Sequence, residues 1–230
     1  MNEVYILQIE TATPSCSAAI SKNGVCIATV DAPEGNMHAS HLTVFVQEVL
    51  EQAGLRMEDL SAIAVSKGPG SYTGLRIGVS AAKGLCYALD IPLLAINTLE
   101  AMWEGFVRAA GSASPELAYV PMIDARRMEV YMAIFDAAGA TLEATSAQII
   151  DEHSFASPTQ YVLFGSGADK FVPLFADRSN VTVVPEFQNT ASYFSSAAYS
   201  KYQAQDFEDL VYFEPFYLKD FIAGTPKKRN

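Results

Sequence analysis

Basic residues are scarce in this chain. Lysine and arginine number 15 against 26 aspartates and glutamates, which leaves a net charge of −11 and a pI near 4.6. Proteins that bind nucleic acid directly display a basic face that displaces counterions from phosphates. The one basic run here is Lys227-Lys228-Arg229, behind Gly224 and Pro226, where a frayed tail over 223–230 is expected. A role near nucleic acid would therefore run through a basic partner. No apolar run of these residues is long enough to cross a bilayer, so no membrane partner is expected. Met1-Asn2-Glu3 leads straight into a strand pattern without a positive region, so no signal peptide is expected. Cysteine is rare too: Cys16, Cys26 and Cys86 fit neither a metal motif nor a disulfide framework. They read as small buried hydrophobes of a reducing compartment, and the expected location is cytoplasmic. What the chain does have is apolar bulk, since half of its 230 residues are hydrophobic. That length allows one large domain or two small ones.

The run Ser66-Lys67-Gly68-Pro69-Gly70-Ser71-Tyr72-Thr73-Gly74-Leu75-Arg76-Ile77-Gly78 is the most informative local feature. A strand pattern over 62–66 feeds a turn of two glycines around a proline, then hydroxyl residues suited to cap a helix over 74–89. Amides at a helix start attract anions, which invites a phosphate-cradle reading. The spelling opposes it. Gly74 is followed by Leu75 and Arg76, not by Lys and Ser or Thr, and the dinucleotide spacing fails by one residue. On a wheel of about 100° per residue, Arg76, Ser80, Lys83 and Tyr87 form one narrow polar stripe. Leu75, Val79, Cys86 and Leu89 make one apolar edge. Gly78, Ala81, Gly84 and Ala88 make a flat edge of small residues. Periodicity reports burial and not the partner, so this second edge faces either the chain's own core or another subunit.

Strand patterns over 4–9, 17–22 and 25–30, with Asn23-Gly24 as a hairpin turn, open the chain. A helix over 40–53 ends at Gly54, and a strand over 93–96 follows the second helix. The opening then recurs: strands over 118–123, 129–135 and 141–145, a strand over 161–164, a helix over 169–175, a strand over 181–184 and a helix over 191–205. Ile9-Glu10-Thr11-Ala12 and Ile123-Asp124-Ala125-Arg126 each set an acid just past a buried strand. Two related β-β-β-α-β-α halves are expected, 1–104 and 105–222, joined by the Ala, Gly and Ser-rich segment 105–115, with a cleft between them.

Ile9-Glu10-Thr11-Ala12-Thr13, His38, the run 67–78, Lys83-Gly84-Leu85, Asn97-Thr98-Leu99, Ile123-Asp124-Ala125-Arg126, Glu129-Val130-Tyr131 and Glu214-Pro215-Phe216-Tyr217-Leu218 resemble the TsaB family, also called YeaZ. The match runs in order over nearly the whole chain. The resemblance implies an α/β fold of the actin-like ATPase class, shared with sugar kinases and Hsp70 chaperones. It implies a role in bacterial synthesis of threonylcarbamoyladenosine beside the tRNA anticodon. There a TsaD-like paralogue transfers the threonylcarbamoyl group, a TsaE-like ATPase joins the assembly, and the TsaB-like subunit scaffolds and activates. It implies pairing through the first two helices. Alone, the chain is expected to self-associate as a homodimer through the same apolar face, because such a patch rarely stays exposed. On these grounds the expected interface holds His38, His41, Phe45, Val49, Gly74, Ile77, Gly78, Ala81, Leu85 and Ala88.

Competing chemistry starts from Glu10 and Asp124, two hard carboxylates that suit magnesium-nucleotide in a cleft. An actin-like ATPase or kinase would use them, with Thr11 and Arg126 as further weak candidates. Against this, Glu10 precedes Thr11-Ala12-Thr13-Pro14, without the glycine that admits a phosphate and with a proline that lacks an amide donor. A degenerate site is the preferred reading, and no cofactor is assigned, with ATP or ADP and magnesium at the complex interface left open. His38 and His41 lie three apart, but a catalytic metal needs a third protein ligand, and none is evident. A glycoprotease-like peptidase finds no support in any Ser, Cys or His spacing.

Overall fold

The computed structural model describes residues 3–32 and 38–219, with side chains of 38–40 excluded. The expected tail over 223–230 and the His38 side chain lie outside the described residues. Strands β1 (Tyr5–Glu10), β2 (Ser17–Lys22) and β3 (Val25–Asp31) form a meander. Asn23 and Gly24 both take positive φ between β2 and β3, as a tight hairpin turn requires. Helix α1 (His38–Ala53), strand β4 (Ala62–Gly68), helix α2 (Tyr72–Leu89), strand β5 (Leu93–Asn97) and helix α3 (Thr98–Ala110) complete the first half. Its sheet runs β3-β2-β1-β4-β5, with β1, β4 and β5 parallel.

The second half holds β6 (Leu117–Asp124), β7 (Glu129–Phe135), β8 (Thr141–Ile149), β9 (Gln160–Phe164) and β10 (Val181–Val184), then α4 (Ser195–Gln203). Its sheet runs β10-β9-β6-β7-β8, the same order as the first when read from β8. The expected repeat is therefore present in the strands. The crossovers differ. Among the described residues no α-helix links β8 to β9, and the helix expected over 169–175 is a 3₁₀ turn at Asp169–Phe171.

The join is also placed differently. α3 continues through Gly105 to Ala110 and stops at Gly111, whose φ is +77°. The boundary drawn at 104 and 105 thus falls inside a helix. Gly105 is there for space, since a Cβ would run into the ring of Tyr193. α3 is shared property. Ala101 belongs to the cluster beneath the first sheet, with Ile6, Leu94 and Phe194, while Leu99 and Met102 join Tyr119, Ile123 and Phe164 of the second. An aromatic ladder extends this contact, with Phe106 stacked on Phe164 at 4.2 Å and Phe187 against both Phe164 and Tyr193. α1 and α2 cover the other face of the first sheet with Leu42, Phe45, Val46, Val49, Val79 and Cys86.

Candidate functional site

Strand β1 is buried from Ile6 onward and delivers Glu10 at its end, fully enclosed. The glycine run begins where β4 leaves the sheet beside it, and Ser71 caps α2 by accepting from the Gly74 N–H at 3.2 Å. Each glycine of the run meets the chain's own backbone or side chains. A Cβ at Gly70 would strike the Ala12 carbonyl, one at Gly74 the Thr11 carbonyl, and one at Gly78 the Thr11 hydroxyl. The Ser71 N–H donates to the Ala12 carbonyl at 2.7 Å. One at Gly68 would sit 2.7 Å from the Phe216 carbonyl, while the Phe216 N–H donates to the Lys67 carbonyl. The turn that resembles a phosphate cradle is filled by its own first loop and by the C-terminal segment.

The Glu10 carboxylate is equally committed. It accepts from the Ala12 N–H, from Ser66 Oγ at 3.1 Å and from Asn189 Nδ2 at 2.8 Å. Desolvation outweighs these donors and pushes its pKa up to about 7. Asn189 reaches it from the segment between β10 and α4. That segment is pinned further by Ser15 Oγ donating to the Asn189 carbonyl and the Ala191 N–H donating to Ser17 Oγ. Asn189 Oδ1 has no protein partner although the residue is 4% exposed. The cavity beside it, lined by Thr13, Ser15, Ser166, Asp169 and Glu186 among others, is about 70 Å³. Nucleotide-sized ligands need several hundred.

Asp124 ends β6 in the second half and is exposed, its carboxylate held by Lys170 Nζ at 2.5 Å and its N–H donating to Ser166 Oγ. Arg126 and Arg127 take positive φ in the β6–β7 turn and are exposed, with the Arg126 N–H on Asp124 Oδ1. The two acids do not converge on a shared ligand: one is sealed inside the first half and the other is neutralised by a lysine. Magnesium-nucleotide does not fit Glu10, Thr11, Asp124 and Arg126 as they stand. Among the described residues no group of three or more His, Cys, Asp or Glu side chains is placed to hold a metal ion.

Four of the expected interface residues are buried within the chain itself. Phe45 and Val49 are 8% and 0% exposed and face the core, because the single apolar face of α1 serves its own sheet first. Gly74 and Gly78 are buried against Thr11. His41 is half-buried beside Phe45. Ile77, Ala81 and Leu85 are half-buried at the edge of the core, and Ala88 is exposed. The face of α2 that does reach the surface carries Thr73, Arg76, Ser80, Gly84, Tyr87 and Ala88, with Tyr87 85% exposed and open space around Gly84.

Sequence reasoning missed Asn189, Ser66 and Lys170, whose partners are distant in the chain. It also missed why α2 carries a polar stripe. Arg76 stacks on Tyr72 at 4.3 Å and donates to the Tyr217 hydroxyl, and Lys83 donates to the carbonyls of Val211 and Phe213. Half of that stripe clamps the C-terminal segment. The spacing of 76 and 83 on one face with no acid nearby was the available signal.

Two five-stranded sheets of one order, sharing a helix and a sealed cleft, define an actin-like ATPase fold. The activator of 2-hydroxyisocaproyl-CoA dehydratase from Clostridium difficile superposes with a TM-score of 0.51 over 90% of this chain and 99% of that one, at 10% identity, which bears on fold alone. The chain belongs to the family described as "TsaD: tRNA N6-adenosine threonylcarbamoyltransferase", whose model matches residues 33–222. Within it, the chain is similar to the tRNA threonylcarbamoyladenosine biosynthesis protein TsaB of Escherichia coli, 36% identical over 128 residues, 56% of this chain and 53% of that protein. The match therefore spans about half the length of that curated relative. YeaZ from Pseudomonas aeruginosa superposes with a TM-score of 0.74 at 26% identity, over 94% of this chain and 100% of that one.

Proposed function

We propose that the chain is a non-catalytic subunit that pairs with a TsaD-like transferase in threonylcarbamoyl modification of tRNA and acts in the cytoplasm. The observation that carries this reading is the filled glycine turn. Thr11, Ala12 and Phe216 occupy the space a phosphate needs, and a cavity of about 70 Å³ remains where the fold class holds nucleotide. An actin-like body without a ligand cradle retains its surface as its working part. The α2 face of Ser80, Gly84 and Ala88 is the contact proposed for the partner, because small side chains let a foreign helix backbone come close. The exposed side of α1, with Thr43, Val44, Gln47 and Glu48, borders it. A homodimer through the same face forms when the transferase is absent. A TsaE-like ATPase joins the pair, tRNA is reached through the partner, and any ATP or ADP sits at the joint surface.

Gly84→Arg is the cleanest test. A Cβ at Gly84 meets nothing within 4 Å and the position is exposed, so the added side chain extends from the outer face of α2. Its affinity for a co-expressed TsaD-like partner should fall at least tenfold, with an unchanged melting temperature. Unchanged affinity would refute the assignment of this face. The enzyme reading is separated by incubating the isolated chain with ATP and magnesium. Turnover abolished by Glu10→Ala would establish an ATPase and overturn the scaffold.

A further inference from the structure

Both sheets end on an edge strand, β5 in the first half and β8 in the second, and the two ends meet where Asn97 Nδ2 donates to Thr145 Oγ1 at 3.5 Å. Above that contact lies a cleft of about 790 Å³, roughly tenfold larger than the cavity beside Glu10. Its walls are the edge of β8 at Ala144 and Thr145 on one side and the segment 208–216 on the other. The β5 edge is already capped, since the Glu208 N–H donates to the Leu93 carbonyl at 2.9 Å. β8 has no strand on its outer side among the described residues. It also bulges there. Ile134 pairs with Glu143 and Met132 with Ser146, so Ala144 and Thr145 together face Ala133. Bulges of this kind re-aim an edge and cluster beside binding sites.

The lining is acidic and aromatic. Glu208, Asp209 and Glu214 border the cleft, and no ion pair to any of them forms among the described residues. Tyr212 is 81% exposed and Phe216 39%, both on the same wall. The single cation of the lining is Lys67, whose charge acts on nearby Asp206. Carboxylates repel phosphates, so neither a nucleotide nor RNA suits this wall. Guanidinium and ammonium groups suit both the carboxylates and the ring faces. An open strand edge beside them adds backbone pairing to an extended chain.

We propose that the cleft between the β8 edge and the 208–216 segment docks an extended, arginine- or lysine-bearing segment of a protein partner, added as a strand on β8. The contact uses other residues than Ser80, Gly84 and Ala88 of α2, although Arg76 and Lys83 hold the segment from that side, and it does not depend on the reading given to the α2 face. The segment's backbone pairs with Ala144 and Thr145, and alternate side chains turn toward Glu208, Glu214 and Tyr212.

The probe is a short fluorescent peptide of alternating arginine and valine, titrated against the full chain, with an alternating glutamate and valine peptide as control. Saturable binding of the basic peptide alone is expected. The double change Glu208→Gln and Glu214→Gln should weaken it roughly fivefold or more, and Tyr212→Ala roughly threefold. Hydrogen exchange should slow at 143–146 when the basic peptide is bound. No saturable binding up to about 1 mM overturns the proposal. So does equal affinity in the variants, binding without slowed exchange on β8, or displacement of the peptide by a single-stranded RNA oligomer.

Discussion

Replacing Glu10 by glutamine should change how stability responds to pH more than it changes the structure. The carboxyl is enclosed at the end of β1, with donors from Ala12, Ser66 and Asn189, and burial raises its pKa from 4.5 to about 7. In the unfolded chain the same group ionises near its ordinary value. Between the two values the folded state holds a proton that the unfolded state has lost. Stability from this group is therefore complete below about pH 4.5, falls as pH rises toward 7, and is lost above that. At 1.36 kcal/mol per pKa unit, the loss is on the order of 3 kcal/mol. Glutamine keeps the shape and carries no charge. Its oxygen can keep the Ala12 and Ser66 donors. Its amide can face Asn189, which turns over to offer Oδ1, the buried atom that has no protein partner in the native chain. Parent and Glu10→Gln should then unfold within about 1 kcal/mol of each other at pH 5, given the cost of the altered hydrogen bonds. At pH 8 the variant should be the more stable by up to about 3 kcal/mol, or roughly 6–12 °C in melting temperature for a chain of this size. Urea or thermal unfolding across pH 4.5 to 8.5 measures it. A difference between variant and parent that stays constant across the window would show that Glu10 titrates normally, and the enclosed geometry would be wrong.

Gly78→Ala should destabilise the chain by about 1–3 kcal/mol, because its methyl collides with the Thr11 hydroxyl. Adding Thr11→Ala should recover part of that loss, a coupling that a double-mutant cycle in urea would detect. Gly105→Ala should cost a similar amount through the Tyr193 ring, whereas a loop at this position would tolerate alanine within about 0.5 kcal/mol. Burial pushes the Cys16 thiol up to about 11 and the Cys86 thiol up to about 12, so neither should react with a thiol reagent at pH 8 until the chain unfolds. Labelling of either in the native protein at the rate of a free thiol would contradict their placement.

Local signals were legible and long-range ones were not. Asn23-Gly24 named its hairpin, and the order of apolar runs gave both meanders, since period and turn chemistry are written in neighbouring residues. The small residues of α2 were ambiguous because a missing Cβ looks the same whether the chain's own loop or a foreign helix fills the space. At Gly74 and Gly78 the filler is Thr11, more than sixty positions earlier in the chain. α1 has one apolar face, and a helix with one such face spends it on its own sheet, which is why Phe45 and Val49 point inward. The polar stripe on α2 looked solvated because its acceptors, the carbonyls of Val211 and Phe213, lie 128 and 130 positions away. The candidate pair of acids was read correctly as two strand ends. Their separate fates depend on Asn189 and Lys170, which no spacing rule connects to them.

Rotation at a hinge is one way two-lobed proteins close around a ligand. Here Ala101 is wedged into one hydrophobic cluster and Met102, the next residue, into the other. Rocking one half against the other would have to shear a single helix between those neighbours. In the pairing proposed above, the chain would act as a fixed bracket that imposes its outline, and the compliant part would belong to the partner.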